Sequence, residues 1–127
     1  MCKRLGHIDT QKYRCITDDI TTDEVVITEE QVRHIKAHHP GHFEKISPFL
    51  QTALDDPDYI LEDKNPNTAL ILKKIEVDGL RLQVVLRLHT STDAEGRKNS
   101  IISAWEISES RWNNYLRNKN VLYKREY

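Results

Sequence analysis

Residues 80–89 read LRLQVVLRLH, and this stretch constrains the fold more than any other. Leu80, Leu82, Val84, Leu86 and Leu88 alternate with Arg81, Gln83, Val85, Arg87 and His89. Successive side chains of a strand point to opposite faces, so five aliphatic side chains share one face and must be covered. The other face carries two arginines and a glutamine. It is either a solvated surface or a floor for an anion. Asp78-Gly79 just before the strand is a hairpin signal and predicts an antiparallel partner over Thr68 to Val77. The chain therefore folds around a sheet with at least one buried face.

The remaining segments supply what covers it. Residues 1–24 are polar and mixed, with Tyr13 and Ile16 as the main apolar anchors; they read as an N-terminal arm or a short strand, ahead of a single domain over 25–127. Val25-Val26-Ile27 is a β-branched run. Thr28-Glu29-Glu30-Gln31 is a capping box, since a threonine at the N-cap and a glutamine three residues on can exchange hydrogen bonds with each other's backbone. The helix it opens runs through Val32, Ile35 and Ala37 to about His39, where Pro40-Gly41 stops it. Ile46, Phe49, Leu50, Ala53 and Leu54 recur at helical spacing and predict a second helix over about 43–54, with Ser47 and Pro48 as an alternative start. Tyr59 to Glu62 is a short strand between turns. Thr90 to Lys98 is a polar loop. Asn99 to Ile107 is a strand, with Ser100, Ile102, Ala104 and Glu106 on one face and Ser103, Trp105 and Ile107 on the other. Ser108 opens a last helix through Trp112, Tyr115 and Leu116, and Val121 to Tyr123 is a closing edge strand. The expected class is α+β: two N-terminal helices packed on a four- or five-stranded antiparallel sheet, with a late helix.

Composition narrows the function. The 127 residues suffice to bury a core in one domain. A net charge of −1 argues against a global footprint for nucleic acid, although residues 111–125 hold a local run of cations. That run either tracks a phosphodiester backbone or suits a helix end. No apolar run has the length of a membrane helix, and the N-terminus lacks the apolar region of a signal peptide, so no membrane partner is expected. A fragment of a longer exported or virion protein is compatible with this. Cys2 and Cys15 match no zinc spacing and fit a reduced pair.

Four of the six histidines fall in RHIKAHHPGH, residues 33–42. His34 and His38 are one helical turn apart, as two metal ligands would be, but Lys36 sits between them and no third ligand is evident. No metal and no cofactor is expected. Imidazole titrates near neutrality, so two histidines at a helix end can instead act as base and acid on a phosphodiester, with His34 and His39 in those roles and Arg87 and Lys73 as cations. The third reading is that histidines at a helix C-terminus favour its dipole. It suits His38 and His42 best.

Val26-Ile27-Thr28-Glu29-Glu30, His34-Ile35, His39-Pro40, the run Asp56 to Asp63, Pro66-Asn67-Thr68, Asn99 to Trp105, Trp112 and the LYKRE end together resemble one family. It is the phage-associated nuclease domain of the barnase–EndoU–colicin–RelE superfamily, and the resemblance covers about residues 20–125 in order. It implies metal-independent cleavage of RNA, often tRNA, to a cyclic phosphate, on the open face of a sheet beside a helix-borne histidine. Carried over by position, the catalytic set is His34, His39, Arg87, Lys73 and Ser103, with Lys74 as the rival of Lys73 and Ser100 as that of Ser103. Lys74, Arg81, Ser100 and Trp105 are expected to bind substrate, Trp105 by stacking unless it is a core aromatic. The implied partners are RNA and, for a toxin, an immunity or antitoxin protein. The implied location is the cytoplasm, or delivery into a target cell's cytoplasm within a toxin or phage particle. The competing reading is a catalytically silent nucleic-acid-binding or phage assembly module, and a metal-dependent hydrolase at His34/His38 is the third.

Overall fold

The computed structural model describes residues 2–38, 40–77 and 79–125, with side chains described from Leu5 onward. Its centre is the predicted hairpin. Strand β5 (Leu80–Arg87) pairs with β4 (Thr68–Ile75) in register from Thr68↔Arg87 to Ile75↔Leu80. Leu82, Val84, Leu86 and Leu88 are fully buried. They join Tyr13, Ile35, Ile46, Leu50 and Leu54 in the main core, so the helices cover the leucine face as its alternation required.

Around this pair stand β1 (Cys2–His7), β2 (Glu24–Thr28), β3 (Tyr59–Glu62), β6 (Asn99–Glu106) and β7 (Val121–Lys124). The sheet has seven strands in the order β1-β2-β6-β5-β4-β3-β7. This corrects the expected four or five antiparallel strands: β2 runs parallel to β6. It also corrects the expected start on helices. The first 24 residues contain β1, which pairs antiparallel with β2 at the sheet edge, and the short helix α1 (Thr10–Tyr13). Tyr13 is fully buried and its hydroxyl donates to Leu54 O at 2.7 Å. An edge strand needs one neighbour and no apolar alternation, so β1 leaves little trace in the sequence.

Helix α2 (Glu29–His38) opens on the predicted capping box. Thr28 Oγ1 accepts from the Gln31 amide at 3.1 Å, and Gln31 Oε1 accepts from the Thr28 amide at 3.3 Å. Gly41, with φ of 73°, turns the chain back after it. The helix expected over 43–54 is three pieces: α3 (His42–Ile46), a 3-10 turn (Ser47–Phe49) and α4 (Leu50–Asp55). Pro48 lacks the N–H that a continuous helix would use and sits at the start of the 3-10 turn.

The second face of the sheet is partly covered as well. Helix α5 (Glu109–Asn118), capped by Ser108 Oγ on the Arg111 amide at 3.1 Å, brings Trp112, Tyr115 and Leu116 onto Leu61, Leu70, Leu72 and Ile107. Gln83 is buried there and accepts from Tyr115 Oη at 2.8 Å. Among the described residues this face stays open near Arg87 and, at its other end, at Lys74. Among the described residues no helix is long and apolar enough to cross a membrane.

Candidate functional site

Strand β2 meets β6 only at Val25↔Asn99 and Val26↔Ser100. The chain then rises into α2, which packs beside β6 in place of a further strand. The backbone of β6 past that point needs other partners. His42 Nε2 accepts from the Glu106 amide at 2.7 Å, and Lys45 Nζ lies 2.9 Å from Glu106 Oε1. His42 thus caps a strand edge from the first residue of α3, and not a helix C-terminus as the dipole reading expected. Because a backbone N–H donates to Nε2, that nitrogen carries no proton.

Across β6 lies Arg87, and its register decides which hydroxyls face it. Ser100 stands opposite Arg87 and Ser103 opposite Val85, with a slip of one residue between them at Ile102. Strict alternation puts Ser100 and Ser103 on opposite faces. The bulge overrides that parity and brings both to the face of Val85 and Arg87. Ile102, the extra residue, is 42% exposed.

The Arg87 guanidinium is held on two sides. Nη2 lies 2.9 Å from Asp93 Oδ1, and Nη1 donates to the Leu88 carbonyl. Asp93 Oδ2 accepts from the Thr90 amide at 2.8 Å and from its hydroxyl at 3.1 Å. The Thr90 amide, its hydroxyl and the Arg87 charge together hold the Asp93 carboxyl below the usual carboxylate range. His89 anchors the same loop from inside. Its Nδ1 meets Thr21 Oγ1 and its Nε2 lies 2.7 Å from Ala94 O. A carbonyl accepts only, so Nε2 carries a proton. The fully buried Asn99 accepts from the His89 amide at 2.8 Å and donates to Thr22 O and Glu24 O. The result is a cleft of about 410 Å³ whose walls include Gln31, Arg87, His89, Arg97, Lys98 and Ser100.

The expected site residues separate into two groups. Arg87, Ser100 and Ser103 share one face beside α2. His34 is exposed on α2, one turn beyond Gln31, and its ring lies 4.3 Å from that of His38. His39 lies outside the described residues. Lys73 does not join Arg87. It pairs with Leu82 on the leucine face and is buried, with Nζ 3.2 Å from Asp56 Oδ2 and 3.6 Å from Asp58 Oδ1. Asp58 also takes Arg125 and the Lys74 amide, so Lys73 is a member of a structural charge network. Lys74 is exposed on the Arg87 face but stands opposite Arg81. Six residues of strand separate Arg81 from Arg87, about 20 Å. Arg81 itself pairs with Glu109 at 3.7 Å. Trp105 packs in the cluster under α5, which is the core use of an aromatic.

Sequence patterns do not single out Gln31, His89, Asp93 or Asn99 as site residues. For Gln31 a signal exists in the capping box, whose glutamine also reaches the hydroxyl of Ser100 at 3.2 Å. For Asn99 nothing local marks the role, since it acts on backbone brought in from elsewhere, whereas Asp93 binds the amide of Thr90 three residues back, a local turn contact that the polar loop itself could have signalled. Among the described residues no three His, Cys, Asp or Glu gather as a metal site would require.

The family model described as phage-Barnase-EndoU-ColicinE5/D-RelE like nuclease 2 matches residues 2–124. No curated protein and no solved structure matches the chain.

Proposed function

Since the chain belongs to the family of phage-Barnase-EndoU-ColicinE5/D-RelE like nucleases, we propose that it is an endoribonuclease that works without a metal. The RNA's own 2′-oxygen is the nucleophile. A base takes the 2′-OH proton, the oxygen bonds the adjacent phosphorus, and the P–O5′ bond breaks as an acid protonates the leaving oxygen. The products are a 2′,3′-cyclic phosphate and a free 5′-OH. His34 and His39 are the base and acid. Arg87, held rigid by Asp93 and the Leu88 carbonyl, supplies a fixed positive charge beside the phosphorane. Ser103, whose hydroxyl has no protein partner among the described residues, positions a phosphate oxygen. The observation that carries this reading is the bulge in β6, which puts two hydroxyls on the face of Arg87 beside the helix that bears His34. Lys73 has no part in it.

The substrate is RNA, with tRNA the first candidate. A toxin role would call for an immunity or antitoxin partner and for action in a cytoplasm. The test is incubation of the purified protein with total tRNA and EDTA, followed by mapping of 2′,3′-cyclic phosphate ends. Cleavage that survives both His34→Ala and His39→Ala sinks the assignment. Cleavage abolished by EDTA points instead to a metal at His34/His38.

One observation favours a second reading. Arg87 is already paired with Asp93, as befits a charge kept for architecture. Tight RNA binding without cleavage would make the chain a silent nucleic-acid-binding or assembly module.

A further inference from the structure

The cleft between α2, β6 and the loop 88–98 contains three cations, and they are not equivalent. Arg87 is paired with Asp93 at 2.9 Å, and Lys98 with Glu24 at 3.1 Å. Arg97 is exposed and has no partner among the described residues. Of the three, Arg97 is therefore the one whose charge no carboxylate among the described residues neutralises.

The hydrogen-bonding groups divide in the same way. Gln31 Oε1 accepts from the Thr28 amide, and this fixes which end of the side chain is oxygen, because a backbone N–H needs an acceptor. Ser100 Oγ, 3.2 Å from the same oxygen, must then be a donor. The Ser100 proton is therefore already committed. The Gln31 Nε2 amide, by contrast, has no partner among the described residues, and Gln31 lines the cleft. Its direction is set by two contacts on the oxygen, so it is a preorganised donor.

We propose that Gln31 and Arg97 form a phosphate subsite in this cleft. They hold a phosphate of the bound RNA strand next to the one that is cleaved, while Arg87, Lys98 and Ser100 shape the walls. The identity of the ligand as RNA rests on the nuclease reading; the subsite itself rests on the two unpartnered donors. A backbone phosphate suits them because it offers acceptor oxygens and charge together.

The probe is a single-stranded RNA oligonucleotide with 2′-methoxy groups throughout, which binds but cannot be cleaved. Gln31→Glu is the informative variant. It keeps an oxygen for Thr28 and Ser100, and glutamate is as good as glutamine in a capping box, but the donor becomes an acceptor. Arg97→Gln removes charge at an exposed position. Each substitution is expected to weaken binding about tenfold, as loss of one charge-assisted hydrogen bond does. Arg97→Gln should also lower the slope of log affinity against log salt by about 0.7, one single-strand phosphate contact. The Gln31→Glu deficit should persist at high salt, because a contact is screened less than a long-range repulsion. An unchanged slope for Arg97→Gln, or a Gln31→Glu deficit that vanishes at high salt, overturns the subsite. Thermal unfolding of both variants is followed in parallel; if Gln31→Glu is destabilised, the slope for Arg97→Gln decides alone. Binding that responds to both substitutions in a protein that never cleaves RNA would overturn the nuclease reading and leave the subsite standing. Cleavage with neither response does the reverse.

Discussion

Lys73 Nζ lies 3.6 Å from Asp58 Oδ1, with 8% and 6% of the two side chains exposed, on the face of the sheet opposite Arg87. The ammonium is therefore part of how the end of α4, strand β4 and the C-terminal segment are tied together, since Arg125 reaches the same carboxylate. Removing Lys73 takes one of two cations from the buried Asp58, which keeps Arg125 and the Lys74 amide. Lys73→Ala is expected to lose about 1–3 kcal/mol of stability, less than when a buried charge is left wholly unpaired, read by urea unfolding, with unchanged cleavage per folded molecule. A variant that folds normally but has lost activity would return Lys73 to the active site.

His34 and His38 touch at the ring, yet only His34 is assigned to the chemistry. His34→Ala is expected to lower the cleavage rate by about 10²- to 10⁴-fold, the usual worth of an acid or base. His38→Ala should leave the rate within a few-fold. Equal losses from the two substitutions would contradict this division.

His42 accepts the Glu106 amide, and without it that N–H on the strand edge has no such acceptor. His42→Ala should cost about 1 kcal/mol, the typical net loss of one such bond, and should speed hydrogen exchange at the Glu106 amide. An exchange rate equal to that of the parent would show that the bond is not made in solution.

Asp93 gives a pH dependence with a definite sign. Its carboxyl is held below its ordinary range, chiefly by the Thr90 amide, with help from Arg87. A depressed folded-state value means that the group stabilises the fold at neutral pH. That contribution is lost as pH falls from about 4, the unfolded value, through the folded one. Asp93→Asn should flatten the fall in urea midpoint in this acid range. Midpoints with the same pH slope in both proteins would show that the clasp does not hold the loop.

Much of the fold is legible in short stretches of sequence. The 80–88 alternation, the 28–31 capping box, Ser108 as an N-cap and the short strand at Tyr59 lie where local rules place them. Lys73 and Lys74 show where legibility ends. Strand β4 is buried on both faces between the helix layers, so Leu70 and Leu72 on one side look like Ile71 and Ile75 on the other. Hydrophobic alternation cannot orient such a strand, and only its pairing with β5 shows that Lys73 faces the helices.

Caps, turns and the period of each strand are settled within a few residues, so the order of the amino acids was enough to specify them, and it was enough for the family as well. The strand order, the parallel meeting of β2 and β6, and the one-residue bulge that turns Ser100 and Ser103 to the same side as Arg87 were decided in three dimensions. Those depend on which distant segments pair and in what register. A strand repeats every two residues, so a slip of one residue moves a side chain from one face of the sheet to the other.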